Sequence, residues 1–188
     1  MKILAIDSSG LVASVAVVED DNMLAEYTIN YKKTHSQTLL PMLGEISKMI
    51  ELDLKSVDAI AVAAGPGSFT GLRIGSATAK GLGLALDKPL ISVPTVDALA
   101  YNLCGTDKLI CPLMDARRSQ VYSGIYEFIG EDLHILEPQA PVPVEDMVKR
   151  LNELGREVIF LGDGVPVYRE KIEELITVPH RYAPAHMN

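Results

Sequence analysis

The sequence predicts an α/β protein made of two lobes that share one βββαβα order. Three sequential β-type runs, KILAIDSS, VASVAVVED and MLAEYTINY, precede a segment with helical period. A continuously apolar strand, VDAIAVAAG, then leads through a glycine-rich turn into a second helix. The same order recurs, with Asp7 and Asp115 closing equivalent strands. We therefore predict lobes over residues 1–105 and 106–188, the second one shortened.

In the first lobe, apolar residues three and four apart predict a helix over residues 36–51, which tolerates Pro41 near its first turn. The stretch GPGSFTGLRIG opens a helix over about residues 70–86, which Lys88-Pro89 ends before the strand PLISV. A further helix begins after Pro94. The candidate helix caps are Thr34, Ser36, Ser68 and Thr70.

The second lobe repeats this pattern with different residues. LICPLMDARR, QVYSGIYEF and DLHILEP are strand-like, and VEDMVKRLNELG has helical spacing. EVIFLGDG is a buried strand running into glycines, and PVYREKIEEL follows it as a helix. No further helix follows this copy of the repeat in the sequence, so the second lobe is expected to be shorter than the first.

Composition narrows the class of protein. The 188 residues carry 17 Lys and Arg against 25 Asp and Glu, a net charge of −8 that disfavours unaided binding of nucleic acid. Asp7 interrupts the first apolar run too early for a signal peptide, and no apolar stretch is long enough to span a membrane, so we expect a cytoplasmic protein. Cys104 and Cys111 are expected to be buried, reduced thiols.

The glycine-rich stretch is not a standard phosphate loop. A Walker A loop needs Gly-Lys-Ser/Thr, which is absent, and Gly65, Gly67 and Gly71 are spaced one residue too long for a dinucleotide-binding fingerprint. Two interpretations remain equally open. The turn could hold an anion at the helix N-terminus, or it could be a tight turn capped by a hydroxyl.

The helix after that turn carries a stripe of small residues. Glycines inside a helix weaken it, so their recurrence calls for a compensating contact. We expect another helix or a sheet to approach this stripe closely. We favour a partner protein, rather than helices of the second lobe, as the group that covers this helix. Gly75→Leu or Ala79→Arg is expected to block the partner while leaving the fold intact. The stripe consists of Gly71, Gly75, Ala79 and Gly83.

Catalytic groups are hard to find in this sequence. Asp7-Ser8 could bind a nucleotide phosphate or cation, but the equivalent loop, Asp115-Ala116-Arg117-Arg118, lacks glycines and hydroxyls for a phosphate. The four histidines show no paired metal-binding spacing, and no Gly-x-Ser-x-Gly nucleophile motif occurs. We therefore expect no catalytic residue and no metal, and keep Asp7 and Ser8 as candidate cofactor-binding residues.

The duplicated order resembles the actin-like fold of the ASKHA and ribonuclease H-like proteins. ILAIDSS, THSQTLLPML, VDAIAVAAGPGSFTGLRIG, PLISVPTVDALA and MDARRSQVY together resemble the TsaB family, also called YeaZ, closely over residues 1 to about 128. The resemblance implies an inactive relative of the transferase subunit TsaD that supports TsaD, with the ATPase TsaE, in threonylcarbamoylation of tRNA next to the anticodon.

The resemblance also implies how the chain associates. It predicts a heterodimer with TsaD through the two long helices of the first lobe, a homodimer when TsaD is absent, and tRNA contact only through the complex. No tightly bound cofactor is expected, with ATP or ADP as a ligand of the complex interface. The residues predicted for the interface are His35, Leu39, Leu43, Ile46, Gly71, Leu72, Gly75, Ala79, Leu82 and Gly83.

Two other functions stay open at this point. An actin-like small-molecule kinase or ATPase would use Asp7 and the turn at Gly65–Gly71, and would turn over ATP with magnesium. A peptidase would need a bound metal or a reactive nucleophile.

Overall fold

The computed structural model describes residues 1–31 and 35–187 and divides into two compact units, Met1–Thr95 and Val96–Asn188. The boundary lies about ten residues before the predicted position at 105/106. The reason is the helix Thr95–Tyr101: its apolar residues Val96 and Ala100 pack in a core with strands of the second unit, so all but its first residue belongs there.

The first unit is a five-stranded mixed sheet with two long helices on one face. The strand order is β3-β2-β1-β4-β5; β1–β3 are antiparallel, and β4 and β5 run parallel to β1. The elements are β1 Lys2–Asp7, β2 Ala13–Glu19, β3 Asn22–Ile29, α1 His35–Met49, β4 Ala59–Ala63, α2 Phe69–Leu86 and β5 Leu90–Val93.

The core of this unit follows from strand alternation. Leu4 of β1, Val15 of β2 and Ile60 of β4 point to the same face and are fully or almost fully buried. Leu39 of α1 and Ala79 of α2 pack into the same cluster. The inner faces of both helices are therefore used by the chain's own sheet.

The second unit repeats the architecture. Its sheet has the order β8-β7-β6-β9-β10, which repeats the order β3-β2-β1-β4-β5 of the first unit. Two helices, α4 and α5, cover one face, and α3 packs in the apolar cluster that contains Ile110 and Tyr126. The elements are α3 Thr95–Tyr101, β6 Leu109–Arg117, β7 Gln120–Ile129, β8 Asp132–Pro143, α4 Val144–Leu154, β9 Val158–Leu161, α5 Val165–Leu175 and β10 His180–Tyr182.

The predicted duplication of βββαβα units is confirmed, and so is the α/β actin-like class. Two strands differ from the sequence prediction. β8 continues through Pro143, five residues past the predicted end, because it stays paired with β7 despite its prolines. β10 was missed; its three residues pair in parallel with β9, a contact too short to leave a periodic signal.

Other local expectations have mixed outcomes. Ser68 caps α2, accepting a hydrogen bond from the Gly71 N–H, whereas the candidate cap Thr34 lies outside the described residues. Cys111 is fully buried as expected, but Cys104 is exposed, which corrects the prediction for that thiol. None of the helices in the described ranges combines the length and apolarity that crossing a membrane requires.

Candidate functional site

The loop after β1 and the start of α2 are locked together. The hydroxyl of Ser8 donates a hydrogen bond to the carbonyl of Gly71 (2.9 Å), and the N–H of Ser68 donates to the carbonyl of Ser9 (2.6 Å). Ser8 and Ser9 are only 2% and 3% exposed. We refer to this contact between Asp7–Gly10 and Ser68–Gly75 as the loop–helix clasp.

The clasp explains two glycines of α2. A Cβ built on Gly71 would overlap the carbonyl oxygen of Ser8, and one on Gly75 would lie 2.5 Å from the Ser8 hydroxyl oxygen. At Gly71 the obstacle is backbone, so a side chain larger than hydrogen would force the loop and the helix apart; at Gly75 the Ser8 hydroxyl would have to move.

Ser8 is therefore engaged in the clasp, and Asp7 is engaged in the turn of its own loop. One carboxylate oxygen of Asp7 accepts the N–H of Ser9 at 2.7 Å, and the Ser8 hydroxyl is buried against α2. A phosphate-binding loop must offer accessible N–H or hydroxyl donors to the ligand. The Ser8 hydroxyl is buried and used by α2 instead. The role of Asp7 and Ser8 in binding a cofactor stays a prediction.

The equivalent carboxylate of the second unit is also engaged. Asp115 Oδ1 accepts the N–H of Arg117 and the hydroxyl proton of Tyr168, both at 2.9 Å. Burial, followed by the hydrogen bond to Asp115, raises the pKa of Tyr168, so this hydroxyl keeps its donor proton at neutral pH. Asp115 thus fixes the turn between β6 and β7.

The backbone of that turn adopts an unfavourable conformation. Arg117, Arg118 and Ser119 follow one another with φ of 68°, 54° and 59°, in the left-handed region that residues with a Cβ avoid. The side chains of both arginines are exposed. The loop thus presents two exposed cations, as its sequence indicated. Within residues 1–31 and 35–187, no three His, Cys, Asp or Glu side chains gather at one point as a metal would require.

The small-residue stripe faces inward, not toward a partner. Gly71 and Gly75 meet Ser8, Ala79 is fully buried in the core, and a Cβ on Gly83 would lie 2.9 Å from a methyl of Leu90 in β5. The chain's own sheet and loop thus provide the close approach that the sequence led us to expect from a partner. The expectation that Gly75→Leu or Ala79→Arg would leave the fold intact is corrected for the same reason.

The other predicted interface residues also lie mostly inside. Leu39, Leu43 and Ile46 of α1 are at most 5% exposed, because they face the sheet. The half-buried His35 hydrogen-bonds the carbonyl of Gly10 through Nε2 (2.9 Å). Leu82 packs against the core cluster. Leu72 is the member of the predicted set that reaches the outer side of α2.

Apart from Leu72, the outer side of α2 consists of residues that the sequence analysis did not place at the interface. Large apolar groups there are open to solvent: Phe69 is 69% and Leu84 88% exposed. These residues recur on the side of the helix away from the glycine stripe, and this spacing was the sequence signal that could have identified the outer face. We define the α2 outer face as Phe69, Leu72, Arg73, Ser76, Ala77, Lys80 and Leu84.

The neighbouring helix α1 also exposes large apolar side chains. Leu40 and Met49 are 57% and 78% exposed, and α1 packs alongside α2. A contiguous apolar patch that is open to solvent often marks a surface that another molecule covers, which makes the α2 outer face a candidate binding surface. The arrangement is thus suited to binding, whereas the strand-end loops are occupied by structural hydrogen bonds.

Comparison with known proteins assigns the family. Residues 22–183 match the family model described as TsaD: tRNA N6-adenosine threonylcarbamoyltransferase. The chain is 37% identical over 176 residues to the tRNA threonylcarbamoyladenosine biosynthesis protein TsaB of Bacillus subtilis, covering 94% of this chain and 77% of that protein.

Solved structures agree with this assignment. YeaZ from Pseudomonas aeruginosa superposes with a TM-score of 0.80 at 29% identity, over 98% of this chain and 85% of that one. A ROK hexokinase from Thermus thermophilus superposes with a TM-score of 0.50 at 13% identity, over 98% of this chain and 94% of that one, and shares the fold alone. By sequence and by structure, the chain belongs to the TsaB family, also called YeaZ.

Proposed function

We propose that this chain is a non-catalytic subunit that supports TsaD in tRNA threonylcarbamoyladenosine biosynthesis. The family to which it belongs contains proteins named for that pathway, which supports the coarser part of the proposal. The finer part is that the chain binds TsaD directly as a heterodimer, that TsaE joins the pair, and that tRNA is contacted through the complex.

One observation carries the proposal: the α2 outer face exposes large apolar groups. Leu84 alone is 88% exposed, and burying a leucine in an interface contributes about 1.5–3 kcal/mol. We place the TsaD contact on this surface, in place of the buried residues expected from the sequence. The same surface would serve a homodimer when TsaD is absent.

The hydrogen bonding of the two strand-end carboxylates supports a non-catalytic role. Asp7 and Asp115 each accept the backbone N–H of the residue two positions later, and Asp115 also accepts the Tyr168 hydroxyl. ATP or ADP is proposed as a ligand of the interface with the partner.

The test is capture of the TsaD subunit from the same organism by this chain. Leu84→Asn and Ala77→Gln keep the charge unchanged and are exposed in the free chain, so folding is expected to be unaffected. We expect each substitution to raise the dissociation constant for TsaD by about tenfold or more, measured by titration calorimetry.

Val167→Asn is the matched control, because Val167 is 57% exposed on α5 of the second unit. It is expected to bind like the unsubstituted chain. Equal binding by all three variants would refute the proposed surface. Magnesium-dependent ATP turnover by the isolated chain that disappears in Asp7→Ala would instead favour the kinase or ATPase alternative.

A further inference from the structure

The turn between β6 and β7 combines a strained backbone with large side chains. Arg117, Arg118 and Ser119 have positive φ in succession, a conformation that glycine adopts freely and that costs other residues free energy. In the part of the chain that the structure describes, every other non-glycine residue with positive φ stands alone: Asp20, Glu51 and Asp87. A run of three such residues is strain that the surrounding structure must hold in place.

Contacts from outside the turn hold it in this conformation. The hydroxyl of Tyr168 on α5 donates to Asp115 Oδ1 (2.9 Å) and lies 3.2 Å from the carbonyl oxygen of Gln120, so it ties the two ends of the turn together. The N–H of Asp115 donates to Oδ1 of Asp163, which follows β9 (3.1 Å). The points at which both arginine side chains leave the backbone are therefore fixed.

The two arginines of this turn carry unpaired charge. Both are exposed, and neither has a carboxylate within ion-pair distance among residues 1–31 and 35–187. Acidic groups near Tyr168 are already used: Asp115 accepts hydrogen bonds inside the turn, and Glu145 pairs with Lys171 (2.5 Å). The other arginines pair with glutamates or stack on aromatic rings: Arg73, Arg150, Arg156, Arg169 and Arg181.

The ligand that this arrangement fits is a phosphate group of RNA. A guanidinium presents a planar fork of N–H donors that binds phosphate or carboxylate oxygens in pairs. The net charge of −8 repels nucleic acid from the chain as a whole, so RNA contact requires a few cations fixed at one place and a partner that holds the RNA there. Relatives of the chain are named for a modification of tRNA, which offers a continuous row of phosphodiesters.

We propose that Arg117 and Arg118 contact the phosphodiester backbone of tRNA when this chain is part of the complex. The contact adds affinity without reading sequence, because it involves phosphates and not base edges. The fixed backbone of the turn reduces the conformational entropy that is lost when the RNA binds. The inference rests on the proposed function, since the chain meets tRNA within the complex.

The experiment measures the dissociation constant of unmodified tRNA for the complex of TsaD with the full chain carrying Arg117→Gln and Arg118→Gln together. Both side chains are exposed, so folding is expected to be unaffected. Lys55→Gln with Lys149→Gln is the matched control, which removes two exposed cations from other elements. We expect the arginine substitutions to raise the dissociation constant about tenfold or more and to reduce the slope of log affinity against log salt by about 1–2, with the control unchanged.

A single substitution separates RNA contact from the stability of the turn. Arg118→Gly relieves strain at a positive φ and removes a cation, so it should raise the urea midpoint of the isolated chain while weakening tRNA binding by the complex. Arg118→Lys keeps the charge and should lose less affinity than Arg118→Gly. Lower stability of Arg118→Gly together with unchanged tRNA affinity would show a purely structural role and overturn the inference.

Three results for the paired arginine variant would also overturn the inference. The first is a tRNA affinity and salt slope that do not change. The second is loss of TsaD binding, which would make the turn a protein contact. The third is weakened binding of ATP or ADP to the complex with tRNA binding intact, which would assign the arginines to a nucleotide. If the unsubstituted chain does not bind TsaD in calorimetry, the proposed function fails, and the inference fails with it.

Discussion

The loop–helix clasp predicts opposite effects for the same substitution at two glycines of α2. Gly71 and Gly81 are both inside the helix, where replacing glycine by alanine normally stabilises by about 0.5–1 kcal/mol. A Cβ on Gly81 has no neighbour within 4 Å, whereas one on Gly71 overlaps the Ser8 carbonyl oxygen. We expect Gly81→Ala to stabilise the protein and Gly71→Ala to destabilise it.

The size of the Gly71→Ala effect follows from what must move. Separating the loop from the helix weakens the Ser8–Gly71 and Ser68–Ser9 hydrogen bonds, each contributing about 1 kcal/mol, and the overpacking itself costs about 1–3 kcal/mol. After allowing for the gain in helix propensity, we expect a net loss of about 2–4 kcal/mol. The free energy of unfolding is measured by urea denaturation followed by circular dichroism.

A second pair of substitutions identifies the contact itself. Gly75→Ala meets the Ser8 hydroxyl oxygen, so Ser8→Ala should remove the clash and recover about 1 kcal/mol or more in a double-mutant cycle. Ser8→Ala should not rescue Gly71→Ala, because there the obstacle is the backbone carbonyl. Equal stability of Gly71→Ala and Gly81→Ala, or a cycle with no coupling between positions 8 and 75, would refute the clasp.

Two further predictions concern the second unit and the thiols. Tyr126→Phe removes a hydroxyl that donates to Asp97 at 2.7 Å from a fully buried ring, so we expect a loss of about 1–3 kcal/mol in urea denaturation; a change below about 0.5 kcal/mol would contradict it. Burial raises the pKa of Cys111 to about 12, so a thiol reagent at pH 8 should titrate only Cys104 in the folded protein and both thiols in denaturant. Because the folded state keeps the Cys111 proton that the unfolded chain releases near pH 9, stability should fall as pH rises above about 9, less steeply in Cys111→Ala. Rapid reaction of two thiols in the folded protein would count against this burial.

Much of the fold was predictable because its signals are local. Alternation in β1 and β2 and the three- and four-residue spacing in α1 arise from how each element buries one face. The repeat of the whole order predicted two sheets of the same topology. The lobe boundary was less accurate, because the assignment of α3 depends on which core Val96 and Ala100 enter.

The family could also be recognised from the sequence, since its motifs are contiguous stretches of residues. The side of the protein that the small-residue stripe faces could not be recognised from the sequence. Glycine and alanine every fourth residue indicate that something approaches the helix to backbone distance, but the pattern is the same whether the neighbour is another molecule or the chain's own loop. Only the structure shows that Ser8 is the neighbour of Gly71 and Gly75.

The sequence by itself determined the α/β class, the duplication, the family and the acidic net charge, because these depend on composition and on periods within single elements. The tertiary structure decided which side of α2 is free. That choice depends on contacts between residues more than 60 positions apart, such as Ser8 with Gly71, and these leave no periodic trace along the chain. In the folded chain the glycines of the small-residue stripe face inward, and Phe69, Arg73, Lys80 and Leu84 face outward.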